Sequence, residues 1–409
     1  MVKSKGTEVV FLPKKPVVGI ISAGDRYNYG DVLYAVVLKE YIRKFEPQIF
    51  QKYDIEHYGI ISSDLRKVGG LETLPIKALY EKDFAENSLI VVAGGQVIGA
   101  NIEVLFKFLK TNKIRLYADL IKYLALSKLG KSRRELLVKR FGCKTKFPYI
   151  ISTDELKSDC KVVYSNVGGF VPENETQAIK QISKADYFSV RDSQSFEENC
   201  RYRKDTILTP DAAVLMSEIF SREQLEKEVS EQVRAVGGEY IAVQFSLSYF
   251  RQHKSEIVEV LKAFKEENKG VKIVLVPIGY AILHDDLIAL KGLKAEISEA
   301  VLIENLTVKE IMYLISGASF FLGTSLHGIV TAMSFEVPYI ALGGHNSSEK
   351  LDIFVKTWGC EPYNKAMPIS VLQGLYKEKD LSRESLENSA KEQIKLAKRN
   401  YDNIFSLIK

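Results

Sequence analysis

Tryptophan occurs once in the 409 residues and cysteine only four times. Cys143, Cys160, Cys200 and Cys360 are far apart and form no CxxC pair. That spacing excludes a disulfide framework and a thiolate zinc site, and it fits reduced thiols in a cytoplasm. Proline (11) and glycine (26) are too few for a collagen-like or low-complexity chain. No run of about 18 apolar residues occurs, so no segment is expected to span a membrane. The opening residues MVKSKGTEVVFLPKKP lack the apolar core of a secretory signal, which again points to the cytoplasm. There is no HExxH pair, no P-loop, no Rossmann glycine fingerprint and no assembled Ser-His-Asp set. Nothing in the pattern indicates nucleic-acid binding.

What is present is an ordinary globular balance, 46% hydrophobic and 27% charged, in a chain long enough for two domains of about 150–200 residues. The net charge of +5 is unevenly spread. Between Lys107 and Lys146 there are 13 Lys and Arg against Asp119 and Glu135, a local balance of +11 that leaves −6 for the rest. Two readings stay open for this segment. It is a solvated helical insertion, or it meets a polyanion or an anionic membrane surface.

Short apolar runs alternate with helical periods. Val17 to Ile21 reads as a buried strand, followed by the loop SAGDRYNYGD. A helix is expected from near Asp31, with Leu33, Val37, Tyr41 and Phe45 on one face. Leu89 to Ala93 ends in Gly94-Gly95, Val162 to Tyr164 leads to Gly168-Gly169, and Tyr187 to Val190 leads to Arg191-Asp192. Ser221 to Gln224 forms a capping-box pattern opening a helix through Leu225, Val229 and Val233. After Gly237-Gly238 the alternation restarts, with strands at 240–245, 272–276, 320–323 and 337–342. The chain closes on an amphipathic helix carrying Leu386, Ala390, Ile394, Ala397, Tyr401, Phe405 and Ile408. The expectation is α/β: two Rossmann-like doubly wound domains facing a cleft, residues 1–234 and 235–409, with the basic insertion near 107–146 in the first.

The densest chemistry is Gly323-Thr324-Ser325-Leu326-His327-Gly328, between a strand and a helix. Unpaired N–H groups at a helix start attract anions, and the Thr324 and Ser325 hydroxyls add donors. His327 in the first turn can pass a proton, or it is simply a hydrogen-bonded residue at a capped helix start. In the first loop, Asn28 binds a sugar hydroxyl or shapes the turn, and Asp31 caps the helix or serves as a base. Arg191 grips an anion bidentately or pairs with a neighbouring acid. His284-Asp285-Asp286 is a helix start or loop rather than a metal site, since adjacent side chains rarely converge.

One ordered set of motifs is more specific. Asn28-Tyr29-Gly30-Asp31, Gly94-Gly95, Ser189-Val190-Arg191-Asp192, Pro210-Asp211, Pro277-Ile278-Gly279 with Asp285-Asp286, Thr324-Ser325-Leu326-His327-Gly328 and Val337-Pro338 follow in series. In that order, over roughly residues 17–345, the chain resembles the polysaccharide pyruvyltransferase family. The resemblance implies a fold like the type B glycosyltransferases and an enzyme of exopolysaccharide biosynthesis. It implies transfer of a pyruvyl group from phosphoenolpyruvate to a saccharide, forming a ketal and releasing phosphate, with no metal or nicotinamide cofactor required. By position, Arg191 and His327 match residues of the phosphoenolpyruvate site, with Thr324, Ser325, Gly328 and Gly279 on the donor side. Asn28, Gly30, Gly94 and Gly95 fall on the acceptor side, and Asp31 is the candidate base. Many family members place an arginine two residues before the histidine, where this chain has Ser325; either another base such as Arg26 substitutes, or a different donor is used. The rival functions are a nucleotide-sugar glycosyltransferase on the same fold and a sugar-binding relative without chemistry.

The resemblance also gives the basic segment a context, because some saccharide acceptors are built on lipid carriers at the inner face of a membrane. Ile114, Leu116, Ala118, Leu120, Ile121, Tyr123, Leu124, Ala125 and Leu126 provide apolar surface among the charges. Peripheral, salt-sensitive contact with an anionic membrane is the expectation.

Overall fold

The computed structural model describes residues 14–109, 113–128, 132–281, 286–343 and 349–409. Two sheets carry the chain. The first contains β1 (Val17–Ile21), β2 (Asp54–Gly59), β3 (Ser63–Asp64), β4 (Glu72–Pro75), β5 (Leu89–Ala93), β6 (Lys161–Val167), β7 (Tyr187–Val190) and β8 (Ile207–Leu208). Their spatial order is β3-β4-β2-β1-β5-β6-β7-β8, parallel except for the β3–β4 pair. The second contains β9 (Tyr240–Gln244), β10 (Lys272–Leu275), β11 (Val301–Leu302), β12 (Phe320–Gly323) and β13 (Tyr339–Ala341), all parallel in the order β11-β10-β9-β12-β13. The central strands β1, β5 and β9 are buried along their whole length. That is why they read as unbroken apolar runs, as strands covered on both faces do.

In each sheet the strand order reverses beside the first strand, between β1 and β5 and between β9 and β12. Ligands of such sheets bind outside the carboxyl ends of the strands at this reversal. The two reversal points face one another. Asn28 pairs with Gly279 in an isolated antiparallel bridge, and Tyr29 N donates to Ile278 O at 3.3 Å. Tyr27 stacks on Tyr280 with ring centres 4.8 Å apart, and the Tyr29 hydroxyl meets Thr331 Oγ1 at 2.9 Å.

Helix Arg383–Phe405 returns to the first sheet's side of the molecule. Asn400 Nδ2 donates to Ser165 Oγ at 3.1 Å and Asn166 Oδ1 at 3.0 Å, while Tyr187 donates to Asn400 Oδ1 at 2.9 Å. Tyr401 packs on Tyr41, centres 4.7 Å apart.

Local differences from expectation have local causes. The first helix spans Tyr29–Phe45, so Asn28 is its N-cap residue and Asp31 lies inside the first turn. The Asp31 carboxylate is taken instead by Arg26 at 2.9 Å and Asn28 Nδ2 at 3.1 Å. The capping box at Ser221 is present, but its helix stops at Glu228. Ser230 N turns to Glu310 Oε1 at 3.1 Å, and Val233 sits in a separate short helix, Glu231–Arg234. The last strand is only Tyr339–Ala341, because Val337 N bonds back to Ala332 O and Pro338 has no N–H to give. His284 and Asp285 lie outside the described residues. No described helix is long and apolar enough to cross a membrane.

Candidate functional site

Gln244, the last residue of β9, shapes the loop that presents His327. Its Oε1 accepts from Thr324 N at 3.0 Å and Ser325 N at 2.9 Å. Its Nε2 donates to Asp286 Oδ2 at 2.8 Å, and the same oxygen accepts from Gly279 N at 2.8 Å. Thr324 Oγ1 accepts from Ser246 N at 2.9 Å. Ser325 caps helix Leu326–Ser334, its Oγ accepting from Gly328 N. The Thr324 and Ser325 hydroxyls are thus engaged in holding the helix start, which places His327 in the first turn facing the other domain.

There His327 Nε2 meets the Tyr34 hydroxyl at 2.6 Å. Tyr34 donates to Asp211 Oδ2 at 2.7 Å. Arg191 Nη1 donates to that oxygen at 2.9 Å and also to the Tyr34 hydroxyl. Asp211 Oδ1 accepts from Ala213 N at 3.0 Å. A phenol has one proton to give. With that proton on the Asp211 bond, the phenolic oxygen accepts from both Arg191 and His327, which assigns the imidazole proton to Nε2 and leaves a lone pair on Nδ1.

The charges balance within this buried group. Burial alone would raise the Asp211 carboxyl, but His327 and Arg191 hold it below the usual carboxylate range. Burial lowers the His327 imidazole below its ordinary value, with Asp211 pulling the other way, so the ring is neutral near pH 7. Burial raises the Tyr34 phenol well above its usual value. Arg191 is 3% exposed, and its partners keep it charged.

Two glycines make room for these rings. A Cβ at Gly30 would stand 1.9 Å from His327 Nδ1. At Gly94, where φ is +55°, it would stand 1.9 Å from Tyr34 Cδ1. Gly95 follows with φ +76° and accepts at its carbonyl from Gly168 N. Both positions were expected on the acceptor side; their geometry shows first a packing requirement.

A cavity of about 510 Å³ opens beside this network, its wall including Arg26, Asn28, Asp31, Gln96, Asn101, Tyr149 and Lys350. Arg26 Nη2 pairs with Asp31 at 2.9 Å and Nη1 more loosely with Asp25 Oδ1 at 3.7 Å, while Nε is buried without a hydrogen-bond partner. Burial and then Arg191 lower the Lys350 ammonium below its usual value. Among the described residues no group of three His, Cys, Asp or Glu is placed to hold a metal ion.

The structure therefore brings His327, Arg191, Gly30 and Gly94 together through Tyr34 and Asp211, with Asn28 and Asp31 in the adjoining wall. Gly279 and Gly328 brace the two facing loops. Tyr34, Asp211, Gln244 and Lys350 were not singled out as site residues from sequence. Tyr34 reads as one more apolar-face residue of an amphipathic helix, and only the Pro210-Asp211 pair hinted at Asp211.

No curated protein matches the chain in sequence. Among solved structures, the UDP-GlcNAc 2-epimerase of Neisseria meningitidis is similar over 96% of this chain and 100% of that one, at 12% identity and TM-score 0.51. The UDP-GlcNAc 2-epimerase of Methanocaldococcus jannaschii is similar over 93% and 92%, at 13% identity and TM-score 0.50. The S. aureus MnaA–UDP structure is similar over 96% and 94%, at 11% identity and TM-score 0.51. At such identities the likeness establishes the fold, two Rossmann-like domains in the type B glycosyltransferase arrangement. The sequence goes further, since residues 148–346, which include Arg191, Asp211 and His327, match the family model of polysaccharide pyruvyl transferase.

Proposed function

We propose that the protein transfers a pyruvyl group from phosphoenolpyruvate to a saccharide, forming a ketal across two hydroxyls and releasing phosphate. The observation that carries this reading is His327, held across the cleft by Tyr34, Asp211 and Arg191 within the span that matches the family.

In this reading a proton is delivered to the donor's methylene carbon, which becomes the methyl group and leaves positive charge on the neighbouring carbon. One sugar hydroxyl attacks that carbon, the carbon–oxygen bond to phosphate breaks, and a second hydroxyl closes the ring. Of the two hydroxyl protons, one replaces the proton spent on the methyl group and the other leaves with phosphate. His327 is the catalytic acid. Neutral at rest, it takes up a proton when a dianionic donor binds beside it, because nearby negative charge favours imidazolium. Arg191, enclosed and opposed by Asp211, is assigned a positioning role through Tyr34. Arg26 and Lys350 meet the donor's anionic groups, and Thr324, Ser325, Gly328 and Gly279 contribute by shaping the facing loops. Asp31 is the base for the attacking hydroxyl, with Asn28, Gly30, Gly94 and Gly95 on the acceptor side. No cofactor enters the scheme. The acceptor is a polysaccharide or its lipid-linked precursor, and the expected location is cytoplasmic, at the inner membrane face.

Phosphate release from phosphoenolpyruvate in the presence of saccharide acceptors tests the reaction. A thermal-shift screen against phosphoenolpyruvate and uridine or guanosine diphosphate sugars tests the donor. Stabilisation by a nucleotide sugar and none by phosphoenolpyruvate would overturn the proposal in favour of glycosyl transfer. Acceptor binding without phosphate release would leave a sugar-binding protein.

A further inference from the structure

We propose that one face of helix Lys113–Lys128, carrying Ile114, Tyr117 and Ile121, docks the protein on an anionic lipid bilayer. The three side chains are spaced by three and four residues, so they share one face. They are 77%, 62% and 69% exposed. The opposite face is the packed one. Tyr123 is buried, its ring set edge-on against Phe106 with centres 5.4 Å apart, and its hydroxyl accepts from Arg140 at 2.9 Å. Leu120 and Tyr123, which the sequence counted as apolar surface, are partly or wholly turned inward. A helix serving only the core of a soluble protein turns its polar side outward. This one holds to the domain by one side and presents isoleucine and tyrosine on the other.

Charge selects the occupant. The stripe belongs to the segment 107–146, whose balance is +11, and Lys107, Lys122, Lys139 and Lys144 are exposed within it. A second copy of the same surface would set like charge against like. A layer of anionic headgroups neutralises it, while the shallow apolar zone beneath receives the three side chains. Position agrees with this. The helix packs on Ile102–Phe108, whose Val104, Leu105 and Phe108 line the cavity beside His327's network, and Val104 is itself 54% exposed. The surface follows from exposure and charge alone, so it does not depend on the identity of the donor.

The test is co-sedimentation of the full chain with phosphatidylcholine vesicles, with and without phosphatidylglycerol. Binding is expected to the anionic vesicles only, and to weaken between about 0.1 M and about 1 M salt as the Debye length contracts from about 10 Å to about 3 Å. Ile114→Ser, Tyr117→Ser and Ile121→Ser combined should lower the bound fraction about tenfold or more, at an unchanged melting temperature. Lys139→Glu with Lys144→Glu should lower it independently of the stripe. Equal binding to both vesicle types, binding to neither, or undiminished binding of the triple variant each overturns the proposal. So does concentration-dependent self-association that the triple variant abolishes while no lipid is bound.

Discussion

The cleft has two loops of the same kind, each following a strand beside a reversal of strand order, yet they use their polar groups in opposite ways. In Gly323–Gly328 the donors and acceptors are spent internally. Gln244 takes two backbone N–H groups, Thr324 takes that of Ser246, and Ser325 takes that of Gly328. In Gly24–Asp31, Arg26 Nη1 and Asp25 Oδ1 face each other as a loose ion pair at 3.7 Å, beyond hydrogen-bond distance, and Arg26 Nε is buried without a hydrogen-bond partner. Buried polar groups left open are costly, so they concentrate where a ligand completes them. The difference teaches that the second loop is a mount for His327, whereas the first keeps unspent hydrogen-bonding capacity on Arg26 in the cavity wall.

The largest test of that contrast is pH. His57 lies under the first loop, with Nε2 2.8 Å from Ser22 Oγ and Nδ1 3.0 Å from Thr73 Oγ1. Burial, with Lys39 adding, lowers its pKa to about 4. The unfolded chain takes up this proton near pH 6.5 and the folded chain only near 4, so protonation favours unfolding across that window. Stability should fall by up to about 3 kcal/mol as pH drops from about 6.5 to about 4. His57→Gln should flatten the slope in urea titrations; an identical slope would remove the histidine from the account.

Next in size is His327→Ala, expected to lower turnover roughly a hundredfold or more with little change in melting temperature. A fully active variant would reduce His327 to packing. Gln244→Ala should cost about 2 kcal/mol by leaving the amides of Thr324 and Ser325 unpaired, measured by urea unfolding; no loss would mean the mount is held by other contacts. The smallest effect separates the two loops most sharply. Arg26→Ala should weaken phosphoenolpyruvate binding about tenfold, or 1.4 kcal/mol, and calorimetry giving equal affinity would show that this guanidinium does not meet the donor.

What the sequence made legible follows from periodicity. Strands covered on both faces leave short apolar runs, and Val17–Ile21, Leu89–Ala93 and Tyr240–Gln244 stand where those runs predict. His327 is legible as a candidate because its polar, glycine-flanked turn follows a strand, where ligands of such sheets bind. Tyr34 and Asp211 are not legible, because their meaning arises only when residues 34, 191, 211 and 327 meet in space. Gly30 and Gly94 announce a close approach without saying to what, and the answer was a histidine and a tyrosine ring.

The seat of the last helix on the first domain has a consequence for biosynthesis. Domains emerge and fold in order during synthesis, the N-terminal one first. Ser165 and Asn166, buried in the finished molecule, bond to each other and to Pro210 O within the first domain. The two further bonds from Asn400, more than 200 residues later, must wait for the last helix. Until then the nascent chain exposes polar groups and Tyr41 that belong inside. Part of the first domain's packing is therefore supplied by helix Arg383–Phe405, and the domain reaches this form only after the second sheet has been made.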